Sequence, residues 1–61
     1  MEKNIQFDTV NEAEAFRSFC KMKDVKIANK NNEPLTSVTL FSPMTDNQFL
    51  ILIYRFGRWI N

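Results

Sequence analysis

Sixty-one residues, 44% hydrophobic and 25% charged, have the composition of an ordinary globular domain, which excludes a disordered chain. The formal charge of +1 excludes strong non-specific nucleic-acid affinity as a property of the whole chain. Residues 1–61 make one small domain, with about 4,100 Å² of folded surface expected against about 10,400 Å² for the extended chain.

A domain of this size commonly needs a staple or a partner. A lone cysteine closes no intramolecular disulfide and histidine is absent, so self-association is the remaining device. The polar start, Met1-Glu2-Lys3-Asn4, leads into no apolar signal core, and no apolar run reaches the roughly 20 residues that span a bilayer. The expectation is a cytoplasmic protein, with no membrane partner and a lone thiol suited to a reducing compartment.

In chain order, Ile5 and Phe7 alternate with Asn4 and Gln6 as a short first strand. Thr9-Val10-Asn11-Glu12 is a capping box that opens a helix. At about 100° per residue, Ala13, Phe16, Phe19 and Cys20 share its apolar side, and Asp24 ends it. Acids gather in its first turns and Arg17, Lys21 and Lys23 in its last, matching the helix dipole. Val25 and Ile27 predict a second strand, Asn31-Asn32-Glu33-Pro34 a turn, and the β-branched stretch 35–42 a third strand. Pro43-Met44-Thr45-Asp46-Asn47 breaks the chain again.

The densest apolar stretch is 47–60, NQFLILIYRFGRWI, in which six apolar residues follow one another without interruption at 49–54. Read as a fourth strand, it points apolar side chains from both faces of a sheet and belongs in the sheet's interior. The expected fold is α+β, in the order β-α-β-β-β. One helix packs on a four-stranded, mainly antiparallel sheet of order 2-3-4-1, with the first and fourth strands parallel.

No catalytic set assembles from these residues, so an enzyme is not expected. Cys20 has no adjacent base and lies on the apolar helix side, while Glu12 and Glu14 diverge by about 200° around the helix. No metal spacing, phosphate loop or dinucleotide fingerprint occurs, so no cofactor and no metal are expected. A single helix covers one sheet face, and the uncovered face suggests a non-catalytic interaction module of accessory or regulatory kind. It would dock on another protein or a second copy through Phe49, Ile51, Ile53 and Trp59, with Arg55 at the rim. The alternative is a sheet that binds single-stranded nucleic acid. Tyr54, Arg55, Arg58 and Trp59 would stack and pair there, joined by Lys21, Lys23 and Lys26 from a segment 17–30 whose five bases against one acid give +4.

Overall fold

A computed structural model of the chain describes residues 2–28, 31–41 and 43–61. The order of elements is β1 (Lys3–Gln6), α1 (Val10–Met22), β2 (Ser37–Leu40) and α2 (Asp46–Ile60). β1 and β2 pair antiparallel, with Lys3 opposite Leu40 and Ile5 opposite Val38. On the other side of β2, Ile27 forms an isolated antiparallel bridge to Leu40, held by Ala28 N–H to Thr39 O (2.8 Å) and Phe41 N–H to Lys26 O (2.9 Å).

α1 forms as its sequence predicts. The Thr9 hydroxyl oxygen accepts the Glu12 N–H at 3.1 Å, and Ala13, Phe16, Phe19 and Cys20 are buried. At its C-terminus, Asp24 N–H donates to Lys21 O and Val25 N–H to Cys20 O, the paired bonds of a Schellman motif. That motif needs one left-handed residue, and Asp24 supplies it with φ 62°. The turn reverses the chain and brings Val25 and Ile27 back against the core.

The four-stranded sheet is overturned, because residues 46–60 are a helix rather than a fourth strand. Six apolar residues in a row carry no period of their own, so they fit a buried strand and a helix equally well. The decision falls to the ends. Thr45 and Gln48 form a full capping box: Gln48 N–H donates to the Thr45 hydroxyl at 3.2 Å, and Thr45 N–H donates to the Gln48 side-chain oxygen at 2.9 Å. The sequence pattern, threonine followed three residues later by a long polar side chain, is the one that opens α1, and its threonine lies inside a stretch read as a strand breaker. Strand order 2-3-4-1 and the parallel pairing of first and fourth strands fall with it. The second strand shrinks to the Ile27 bridge, and the third to Ser37–Leu40. The proposed end of that third strand at Ser42, like Lys30 of the basic segment, lies outside the described residues.

One face of the small sheet is apolar and the other polar. Ile5, Val38 and Leu40 face the helices and join Phe16, Phe19, Leu52 and Phe56 in one core. Ser37 and Thr39 are also buried, and their hydroxyls are served from the far side of the sheet. The Asn4 amide donates to Ser37 Oγ (2.8 Å) and Thr39 Oγ1 (2.9 Å), the Gln6 amide donates to Ser37 Oγ (3.1 Å), and Thr39 donates to the Glu33 carboxylate. Among the described residues, no buried side-chain nitrogen or oxygen lacks a partner. A sheet closed in this way needs apolar cover on one face only, and α1 and α2 supply it together.

Phe56 anchors α2 in that core. Its ring lies 5.0 Å from Phe16, edge to face, 5.6 Å from Phe19 and 6.0 Å from Phe7. Truncating a buried aromatic of this kind costs about 3–5 kcal/mol. A chain of this length has about 3–9 kcal/mol in total. Phe56→Ala is therefore expected to leave much of the chain unfolded at room temperature, read as loss of helical circular dichroism, whereas Tyr54→Ala on the exposed side leaves the signal intact.

Candidate interaction surface on the second helix

Turning residues 46–60 from a strand into a helix redistributes every side chain proposed for binding. On a strand, Phe49, Ile51, Ile53, Arg55 and Trp59 share one face. On α2 they fall at about 100° steps and separate. Phe49 and Ile53 are half-buried against the core, while Ile51, Arg55 and Trp59 are exposed. Trp59 still packs on Phe19 at 5.3 Å, so its ring is held by the core on one side and open to solvent on the other.

The set proposed for nucleic acid also divides. Lys23 and Arg55 flank a shallow groove of about 390 Å³ whose floor includes Phe19, Val25, Ile51 and Leu52. The Lys23 ammonium lies 5.8 Å from the centroid of the Phe19 ring. Lys21 and Lys26 line a different cleft, together with Arg17 and Asp24. Tyr54 and Arg58 pair with each other: the Arg58 guanidinium donates to the Tyr54 hydroxyl at 3.2 Å and lies 5.9 Å from its ring. Tyr54 is thus partly occupied by its own chain, and the continuous aromatic and basic ladder expected of a strand does not form.

What the structure gathers instead is apolar surface on one helix. Leu50, Ile51, Tyr54, Trp59 and Ile60 are all exposed, and Leu50 and Tyr54 are 63% and 64% so. A helix apolar around most of its circumference is normally covered on all sides. The chain's accessible surface is 4645 Å², about 500 Å² above the area scaling for its mass. Leu50 and Ile60 were not expected to matter. The signal for Leu50 is its i, i+3, i+4 spacing with Ile53 and Tyr54, and Ile60 lies two turns after Ile53; both become readable only once Thr45 and Gln48 mark a helix start.

Two titratable groups are shifted. Lys3 donates a hydrogen bond to Asp46 and adds its charge, which together hold that exposed carboxyl below its usual value and tie β1 to the start of α2. Cys20 is buried in the core, and burial pushes its thiol from the ordinary 9.0 up to about 11. It is therefore protonated near neutral pH and is no ready nucleophile. Among the described residues, no group of three His, Cys, Asp or Glu side chains could hold a metal ion, and no helix is long and apolar enough to cross a membrane.

The Cys20 shift carries a pH dependence. The unfolded chain's thiol ionises near its ordinary value while the folded thiol stays neutral. This contribution is therefore fully present below pH 9 and is lost as pH rises towards 11. Urea titrations are expected to lose about 2–3 kcal/mol over that window, and Cys20→Ala, though less stable throughout, is expected to lack that part of the slope. The chain matches no family model, no curated protein and no solved structure.

Proposed function

We propose that the protein is a non-catalytic interaction module, accessory or regulatory in role, that docks through exposed apolar side chains of α2. The observation that carries this reading is the set of large apolar side chains left exposed on one 15-residue helix, Leu50, Ile51, Tyr54, Trp59 and Ile60. Monomeric proteins rarely keep a contiguous apolar patch beyond a few hundred Å² open to water. Tyrosine and tryptophan, moreover, are the side chains that interfaces favour. The inner side of the same helix is fixed by Leu52 and Phe56, so the outer side is presented by a rigid element rather than a loop. A single buried thiol suits action in the reducing cytoplasm.

The test uses the whole chain as bait in native extract, beside Leu50→Lys and the distant surface variant Glu12→Lys. A protein retained by the parent chain and by Glu12→Lys but lost by Leu50→Lys is the expected result. Equal retention by all three overturns docking through this side of α2.

A second reading, binding of single-stranded nucleic acid, has one observation in its favour. Lys23 and Arg55 share a groove, and Trp59 follows Arg55 by four residues on α2, one turn along the helix. Trp59 is the only tryptophan, so its emission reports directly on stacking. On the interaction reading, a thymidine oligomer at low salt leaves that emission unchanged. Quenching that vanishes steeply as salt rises favours the nucleic-acid reading instead.

A further inference from the structure

The groove between the end of α1 and α2 has an apolar floor and a rim of one sign. Its α2 wall is the stripe Gln48, Ile51, Leu52 and Arg55, spaced i, i+3, i+4 and i+7, and Phe19, Lys23 and Val25 line it from the other side. Phe19 and Leu52 belong to the core, with Val25 half-buried beside them, so the floor is fixed by packing.

Every polar side-chain group in the groove is a hydrogen-bond donor. Lys23 and Arg55 each bring a positive charge. The side-chain oxygen of Gln48 is taken by the Thr45 N–H of the helix cap at 2.9 Å, which leaves its NH2 group to donate. No aspartate or glutamate lines the groove. Among the described residues, neither Lys23 nor Arg55 is paired with a carboxylate. The neighbouring cleft differs in both respects: its Arg17 is bound by Glu14, and Asp24 stands beside its Lys21 and Lys26. The Lys23 ammonium is also held beside the apolar floor by its contact with the Phe19 ring.

We propose that this groove binds an acidic peptide segment of a partner protein, seating a leucine-like side chain on the floor and carboxylates on Lys23 and Arg55. Charge complementarity sets the sign of the occupant. Arg55 can hold a carboxylate through two parallel N–H donors, and Lys23 as a point charge. The floor sets its kind. A small inorganic anion would leave the apolar residues uncovered, and a small organic molecule needs a deeper pocket than this shallow groove. Nucleic acid matches the cations but finds no ring to stack on: Phe19 is 1% exposed, and Trp59 does not line the groove. Contact over so small an area implies a dissociation constant on the order of 10–100 μM.

The inference goes beyond the docking role proposed for α2 and stands apart from it. The groove shares Ile51 with the exposed apolar set, but Leu50 lies about 140° around the helix from Arg55.

The test is fluorescence anisotropy of the full chain with a labelled peptide, Ser-Glu-Asp-Leu-Leu-Asp-Glu-Ser. Two counterparts accompany it, one with lysine in place of every acid and one with serine in place of both leucines. The acidic leucine peptide is expected to bind about tenfold or more tighter than either, and to weaken several-fold as salt rises from about 0.1 to about 1 M. Arg55→Glu and Lys23→Glu are each expected to weaken it about fivefold or more. Lys21→Glu makes the same change of charge in the other cleft and leaves binding within about twofold. All three side chains are exposed, and unchanged helical circular dichroism confirms that the variants fold.

Absence of binding at millimolar peptide overturns the proposal, as does equal binding of the serine counterpart or equal weakening by Lys21→Glu. Tighter binding of a thymidine oligomer of matched charge assigns the groove to nucleic acid instead. Leu50→Lys is expected to leave the peptide bound, and its loss there would move the site off the groove. The capture experiment with Leu50→Lys therefore judges the docking role alone, and either reading can fail without the other.

Discussion

The fold depends on the insertion of Phe56 between Phe7, Phe16 and Phe19. These rings come from the end of β1, from α1 and from α2, and their edge-to-face and tilted contacts at 5.0–6.0 Å join elements that backbone hydrogen bonds do not connect. A chain of 61 residues has room for little more core than this. β1 and β2 together are only four residues long each, too short to stand as an isolated hairpin-like pair. The aromatic cluster is what gives them a surface to fold against.

The polar side of the sheet decides where the remaining apolar surface goes. Had Ser37 and Thr39 been apolar, the sheet would have needed cover on both faces and would have drawn on α2 for it. Their hydroxyls are instead closed off by Asn4, Gln6 and Glu33, and Arg17 donates to the Leu35 and Ser37 carbonyls, both at 3.0 Å, fixing α1 to the start of β2. α2 then has only its Leu52 and Phe56 side to bury. Phe49 and Ile53 are half-buried beside it, and Leu50, Ile51, Tyr54, Trp59 and Ile60 remain exposed.

This division gives α2 a buried side and an exposed side. Its inner side holds the core, so its outer side is presented with the precision of packed structure rather than of a loop.

By itself the sequence determined everything that a single amphipathic period and a clear cap can encode. α1 with its Thr9 cap, its buried Ala13, Phe16, Phe19 and Cys20, and its stop at Asp24 was legible, as were the strand character of Ile5 and of residues 37–40 and the turn at Asn31-Asn32. The candidate residues were legible as a stretch, since 47–60 carries the surplus apolar content, but not as a surface. Only the tertiary structure decided that. An uninterrupted run such as FLILIY has no period from which to read a strand or a helix, and the choice rested on a cap at Thr45 and Gln48 and on a core with one vacancy, which Phe56 fills. Helical geometry then split the proposed faces, moved Phe49 and Ile53 inward, and brought Leu50, Tyr54, Gly57 and Ile60 to one side, because a step of 100° groups residues that a step of 180° keeps apart.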